Sequence, residues 1–191
     1  NVLFLVLTNN DPISVLQSID KKFIIYILIL LLLSISKSFG ENLNNLSTKG
    51  GVITLMYHRF NENKYPSTNI RNEIFQKQLE IINELNIEFI GFKDFKSIMK
   101  TGTEESYILL TIDDAFESFY LNAWPILKAR NIPFILFINT REIGKNGYMS
   151  WKQIYELQKS DLMTIGNHSH SHDYLVDWQN DKIINDIKTA I

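Results

Sequence analysis

The sequence contains no cysteine. Disulfides, thiolate metal sites and cysteine nucleophiles are therefore excluded, which leaves His, Asp and Glu as ligands for any metal ion. Neither sign of charge dominates. The formal net charge is -2, so nothing marks a nucleic-acid or acidic-membrane partner. No internal repeat is present. The length of 191 residues suits one domain plus a leader, and 45% hydrophobic with 21% charged residues is ordinary for a globular protein.

One long apolar run interrupts this balance. Phe23 to Leu33 reads FIIYILILLLL, after Lys21 and Lys22 and before the small residues Ser38 and Gly40. A basic start, a short apolar centre and a small-residue exit describe a secretory signal peptide over residues 21–40. The run is shorter than the roughly 20 residues of a membrane span. An uncleaved anchor, with residues 23–35 as a membrane tether, is the alternative. Either way the protein is expected to be exported, to the periplasm, cell surface or exterior. Residues 1–20 precede the basic pair and do not start with Met, so they read as a gene-model extension or fragment start. Residues 41–50 are polar and Asn-rich and read as a linker.

From Gly51 onward, short apolar runs alternate with amphipathic stretches. The expected strands are Val52–Tyr57, Phe89–Phe92, Tyr107–Ile112, Pro133–Ile138 and Leu162–Ile165. Expected helices run from Glu73 to Leu85, from an Asp94 cap to about Met99, from Phe116 to Arg130 with a kink or start at Pro125, from Trp151 to about Gln158 behind a Ser150/Gln153 capping box, and from Asp181 onward. Asn61 to Asn69 reads as loop. Alternation of this kind predicts an α/β fold, a parallel sheet covered by helices, as an open sheet or an incomplete barrel.

Two clusters carry chemistry, and both follow predicted strands, where parallel α/β folds place their ligands. The first is Thr111-Ile-Asp-Asp-Ala115. Strand neighbours point to opposite sides, so Asp113 and Asp114 need a turn to share one site. A helix cap is the plainer explanation for such a pair. The second is Gly166-Asn-His-Ser-His-Ser-His172. Here His168 and His172 stand four residues apart, which lets a helical turn or tight loop aim both at one metal ion. A lone histidine would read as part of a solvated polar loop, but a pair at ligand spacing beside a strand end does not. Glu does not follow the first His, which excludes the zincin helix motif. One carboxylate and two imidazoles would leave open positions for water, and the second carboxylate would be free to act as a base.

These two motifs, in this order, resemble those of the polysaccharide deacetylase family, also called the NodB-homology or carbohydrate esterase 4 family. Leu55-Met-Tyr-His-Arg59 and Gly147-Tyr-Met-Ser-Trp151 are similar to its branch acting on exported poly-N-acetylglucosamine. The resemblance runs from about Gly51 to the end. It implies a distorted (β/α) barrel of parallel strands. It implies Asp113 as general base, and Asp114, His168 and His172 as ligands of a divalent metal, commonly zinc. Ser169 would brace the loop, His170 would be a bystander, and His58 would either reach the substrate cleft or be structural.

The implied reaction is metal-dependent hydrolysis of N-acetyl groups on an amino-sugar polysaccharide, with that polymer as the partner. The sequence departs from the family at two places. Ala115 replaces the usual Gly, a strain if that position needs positive φ. The family's later Arg-Pro, Asp/Trp and His motifs have no counterpart after His172, so the barrel is expected to be incomplete and the general acid to lie beyond residue 191. A peptidoglycan deacetylase, a small-molecule amidohydrolase of the same fold, and a non-catalytic glycan-binding protein are the rival readings.

Overall fold

Each apolar run expected downstream of Gly51 becomes a parallel strand, because strands covered by helices must bury both faces. The structure is a computed structural model and describes residues 2–6 and 50–191. In chain order the strands are β1 (Val2–Val6), β2 (Gly51–Tyr57), β3 (Arg59–Phe60), β4 (Asn69–Ile70), β5 (Glu88–Phe89), β6 (Ser106–Asp113), β7 (Phe134–Ile138) and β8 (Met163–Asn167). The helices are α1 (Asn72–Glu84), α2 (Phe92–Thr101), α3 (Trp124–Ala129), α4 (Trp151–Gln158) and α5 (Asn180–Thr189).

The main sheet is ordered β1-β2-β6-β7-β8, every pair parallel. β5 pairs with the first half of β6, ahead of β7. β3 and β4 form a separate parallel pair. Among the described residues the sheet is open, with β1 and β8 at its ends. β1 falls within residues 1–20, for which no place in the domain was expected; its backbone pairs with β2 from Val2↔Val52 to Val6↔Met56. The apolar run at 23–33, the rest of the leader and residues 41–49 lie outside the described residues. No helix among those described is long and apolar enough to cross a membrane.

Period-two alternation sorts the core onto two faces. Ile108, Leu110 and Ile112 of β6, with Phe134, Leu136 and Ile138 of β7, face the larger cluster against α1, α3 and α4. Leu110, Ile112 and Leu136 are fully shielded from solvent, and each such side chain contributes about 1.5–3 kcal/mol by leaving water. Leu109 and Ile135 point the other way, into a smaller cluster with Val52 and Ile90, against which Phe95, Ile98 and Phe137 pack. By the same alternation Thr111 and Asp113 share the face of Leu109.

Four boundaries differ from expectation. The Phe89 strand ends at Phe89, and Phe92 opens α2. Asp94 does not cap α2: Gly91 occupies the cap position, and Asp94 sits in the first turn, where a negative charge suits the helix dipole. The Phe116–Arg130 segment is helical from 117 to 129 but not uniform: a wider π-type turn at Phe119–Ala123 leads into α3, with Pro125 in its first turn. The polar loop after Asn61 closes on Asn69, part of β4. The Ser150/Gln153 capping box forms as expected: Gln153 N–H donates to Ser150 Oγ at 3.3 Å, and Ser150 N–H to Gln153 Oε1 at 2.7 Å.

Candidate metal centre

Four neighbouring strands each end in a polar group. β2 is followed by His58, β6 closes on Asp113 with Asp114 next, β7 is followed by Asn139, and β8 leads into His168. All are at carboxyl ends, the edge where parallel strands converge on a ligand.

The turn needed between the two carboxylates is there. β6 stops at Asp113, and Asp114 and Ala115 both take left-handed backbone, with φ of 71° and 56°. The chain reverses its side-chain direction within one residue, so both carboxyl groups reach the same side. Asp113 and Asp114 are buried, at 7% and 6% exposure. Ala115 carries the strain expected if that position needs positive φ; its carbonyl accepts from Met149 N–H at 2.9 Å, and Glu117 N–H donates to the Gly147 carbonyl at 3.0 Å. The Gly147–Trp151 stretch thus props up the Asp-Asp turn.

The histidines arrive on a tight loop, not a helix. Ser169 and His172 have left-handed backbone, with φ of 66° and 57°. His172 N–H donates to Ser169 Oγ at 3.0 Å, which bends the loop so that the two rings approach, centroids 4.9 Å apart. Nε2 of His168 lies 3.3 Å and Nε2 of His172 3.0 Å from the same Asp114 Oδ1. His170 turns elsewhere, with Nδ1 2.8 Å from Thr140 Oγ1. His58 Nε2 stands 3.9 Å from Asp113 Oδ2, too far for a hydrogen bond but beside the carboxylate.

Burial pushes the Asp113 carboxyl above the usual carboxylate range, although the charges of His168, His58 and His172 oppose it. Asp114 goes the other way: burial would raise it, but the His168 hydrogen bond and the two imidazole charges outweigh that and hold it low. His168 is raised, chiefly by its hydrogen bond to Asp114, against burial. Environments that push two adjacent carboxyls apart suit them to different tasks.

The donor set fits a divalent cation. One atom each of Asp114, His168 and His172 lie within 4.8 Å of one another, and nitrogen and oxygen donors in this mix suit zinc and its first-row neighbours. Asp113 Oδ1 and Asn139 Oδ1 are buried close by with no hydrogen-bond partner, and Asn139 Nδ2 donates to Asp114 Oδ1 at 3.3 Å.

Two contributors escaped the sequence reading. Asn139 does so because an Asn ending a strand usually reads as a turn; its signal is its place just past the run Phe134–Ile138. Gly166 pairs with Phe137 across β7 and β8, and a Cβ there would collide with the Phe137 ring. That ring in turn packs against His168, centroids 6.2 Å apart. Arg59 is sandwiched between Phe116 and Tyr65, 3.4 and 4.3 Å from their centroids, and pairs with Glu62 at 2.9 Å.

Residues 100–191, which hold both motifs, match the family described as polysaccharide deacetylase. Over that stretch the chain is similar to the polysaccharide deacetylase family. Among its relatives, a poly-β-1,6-N-acetyl-D-glucosamine N-deacetylase of Staphylococcus aureus (strain MSSA476) is 27% identical over 180 residues, covering 78% of this chain and 62% of the relative. The enzyme so named from Staphylococcus epidermidis is 22% identical over 189 residues, covering 88% and 59%. The chain thus spans 62% or less of the length of those two relatives. The solved structure of IcaB from Ammonifex degensii is 27% identical, with TM-score 0.59 over 70% of this chain and 58% of that one. The Streptococcus pyogenes deacetylase PplD, solved with acetate, superposes with TM-score 0.63 at 21% identity over 74% of this chain and 66% of that one, and supports the parallel α/β fold.

Proposed function

We propose that the protein removes N-acetyl groups from an exported amino-sugar polysaccharide, of the poly-β-1,6-N-acetylglucosamine type. The observation that carries this reading is the convergence of His168 and His172 on one oxygen of Asp114, beside a second buried carboxylate with a free oxygen. The names of the staphylococcal relatives supply the substrate class.

In this reading Asp114, His168 and His172 hold a divalent metal, with zinc the first candidate. When bound, such an ion lowers the pKa of water and polarises a carbonyl. Asp113 accepts the proton of the attacking water. Its raised pKa makes it a stronger base than an exposed Asp, and its unpartnered Oδ1 is available to do so. His58, on the open side of Asp113, borders the space where the acetamide would lie. Residues 51–191 carry the catalytic machinery in this reading, preceded by a linker at 41–50 and an export leader at 21–40 that would serve as signal peptide or tether. That leader is the support for an exported location.

The test is acetate release from poly-β-1,6-N-acetylglucosamine oligomers by the full chain, with zinc and after chelation. Release that stops on chelation and returns with zinc is expected. Release unaffected by chelation would refute the metal reading; tight zinc binding with no acetate from any N-acetylated glycan would favour a glycan-binding role instead.

A further inference from the structure

The five amides of the histidine loop can be accounted for one by one, as buried backbone donors require. His168 N–H donates to the Ile138 carbonyl at 3.0 Å, Ser169 N–H to Asn167 Oδ1 at 2.8 Å and His172 N–H to Ser169 Oγ at 3.0 Å. The two in the middle have no local acceptor. They reach across fifteen or more positions to one carboxylate: His170 N–H donates to Asp186 Oδ2 at 2.8 Å, and Ser171 N–H to Oδ1 and Oδ2 at 3.0 and 3.3 Å. Successive amides that converge in this way form an anion-binding concavity, here filled by the protein's own side chain.

Asp186 is on α5, and it is the one residue of that helix that is buried, at 6% exposure. Ile184 and Ile187 of the same helix remain exposed. A helix whose sole fully buried side chain is a carboxylate, with Ile183 only half-buried beside it, is docked largely by polar bonds. A second tether runs alongside, from Asn167 Nδ2 to the Ile187 carbonyl at 3.1 Å.

We propose that Asp186 is a positioning residue for the metal centre: it clasps the amides of His170 and Ser171 and so fixes the loop that carries His168 and His172 at the spacing one cation requires. This rests on the metal reading of Asp114, His168 and His172. The bonds are charge-assisted, and burial of the carboxylate is outweighed by the Ser171 hydroxyl and the two amides, which hold its pKa low. An Asn at 186 offers one oxygen to two amides and turns an NH2 toward the other. The loop then samples other shapes, and each costs metal affinity.

The experiment measures the zinc Kd of the full chain by competition with a chelating dye, for wild type, Asp186→Asn and Asp186→Glu, alongside the metal-free Tm of each. The expected result is a Kd about 10-fold or more weaker for Asp186→Asn, in the range typical of lost support behind a metal ligand. Asp186→Glu, which keeps the charge, is expected to recover most of the affinity. A folded Asp186→Asn protein with wild-type Kd and only a lower Tm would overturn the proposal, leaving Asp186 as ordinary structure. If Asp186→Asn does not fold, hydrogen exchange in zinc-free wild type decides: slow exchange at the amides of His170 and Ser171 supports the clasp, and free exchange sinks it. Wild type that binds no zinc overturns the metal reading together with this one, whereas zinc binding that Asp186→Asn leaves intact removes only the positioning role.

Discussion

Replacing Gly166 by Ala should damage the candidate metal centre through a residue outside the ligand set. Gly166 and Phe137 are paired on adjacent parallel strands. The Phe137 ring covers the glycine so closely that an added Cβ would collide with two of its carbons and press on a third. The backbone of β8 is held by its ladder to β7, so the ring must move instead. One extra methyl forced into such a contact costs about 1–3 kcal/mol. For a domain of this size, 1 kcal/mol corresponds to roughly 2–4 °C in Tm, so a fall of about 2–12 °C is expected by calorimetry. The displaced ring leans on His168, which should weaken zinc binding as well. A double-mutant cycle isolates the cause. In a Phe137→Leu background, where the ring is gone, Gly166→Ala should cost less than half of what it costs alone. If the two losses simply add, the collision is not the mechanism and the reasoning fails.

Further outcomes follow from other contacts. Asp113→Asn should abolish acetate release while leaving the zinc Kd within about threefold, a ratio well under the 10-fold that 1.4 kcal/mol represents; loss of both would make Asp113 a ligand. Ala115 sits in left-handed backbone and is wholly buried, so Ala115→Val should cost about 2–4 kcal/mol by denaturant unfolding, since a β-branched residue tolerates neither the φ nor the space. Ala115→Gly should stay within about 1 kcal/mol of wild type, because relief of the strain is offset by loss of a buried methyl. The raised His168 pKa sets a pH dependence in the metal-free protein. Its contribution to stability is complete below the ordinary histidine value of about 6.5 and is lost as pH rises through the higher folded value. Unfolding measured from pH 6 to 9 should show this decline in wild type and its absence in His168→Gln.

Much of the architecture was already written in local patterns. Apolar runs of strand length between amphipathic stretches dictate parallel strands under helices, because such strands must bury both faces. Ser150 and Gln153 specify a helix start through bonds that span only three residues, and Pro125 specifies another through its own ring. The candidate site was equally legible: Asp113-Asp114 and His168/His172 follow strands, and their residue types and spacing are features of the sequence itself. Features that depend on what lies opposite were not legible. Asn139 became part of the site because β7 is inserted between β6 and β8. Gly166 matters because Phe137 is its cross-strand partner. Asp94 lost its capping role because β5 ended earlier than its apolar residues suggested. Asp186 bonds across the fold to amides whose need for an acceptor exists only once the histidine loop has bent. The sequence alone determined which side chains could do the chemistry; the tertiary structure decided which oxygen they share, because that depends on strand order and on a loop held from a distance.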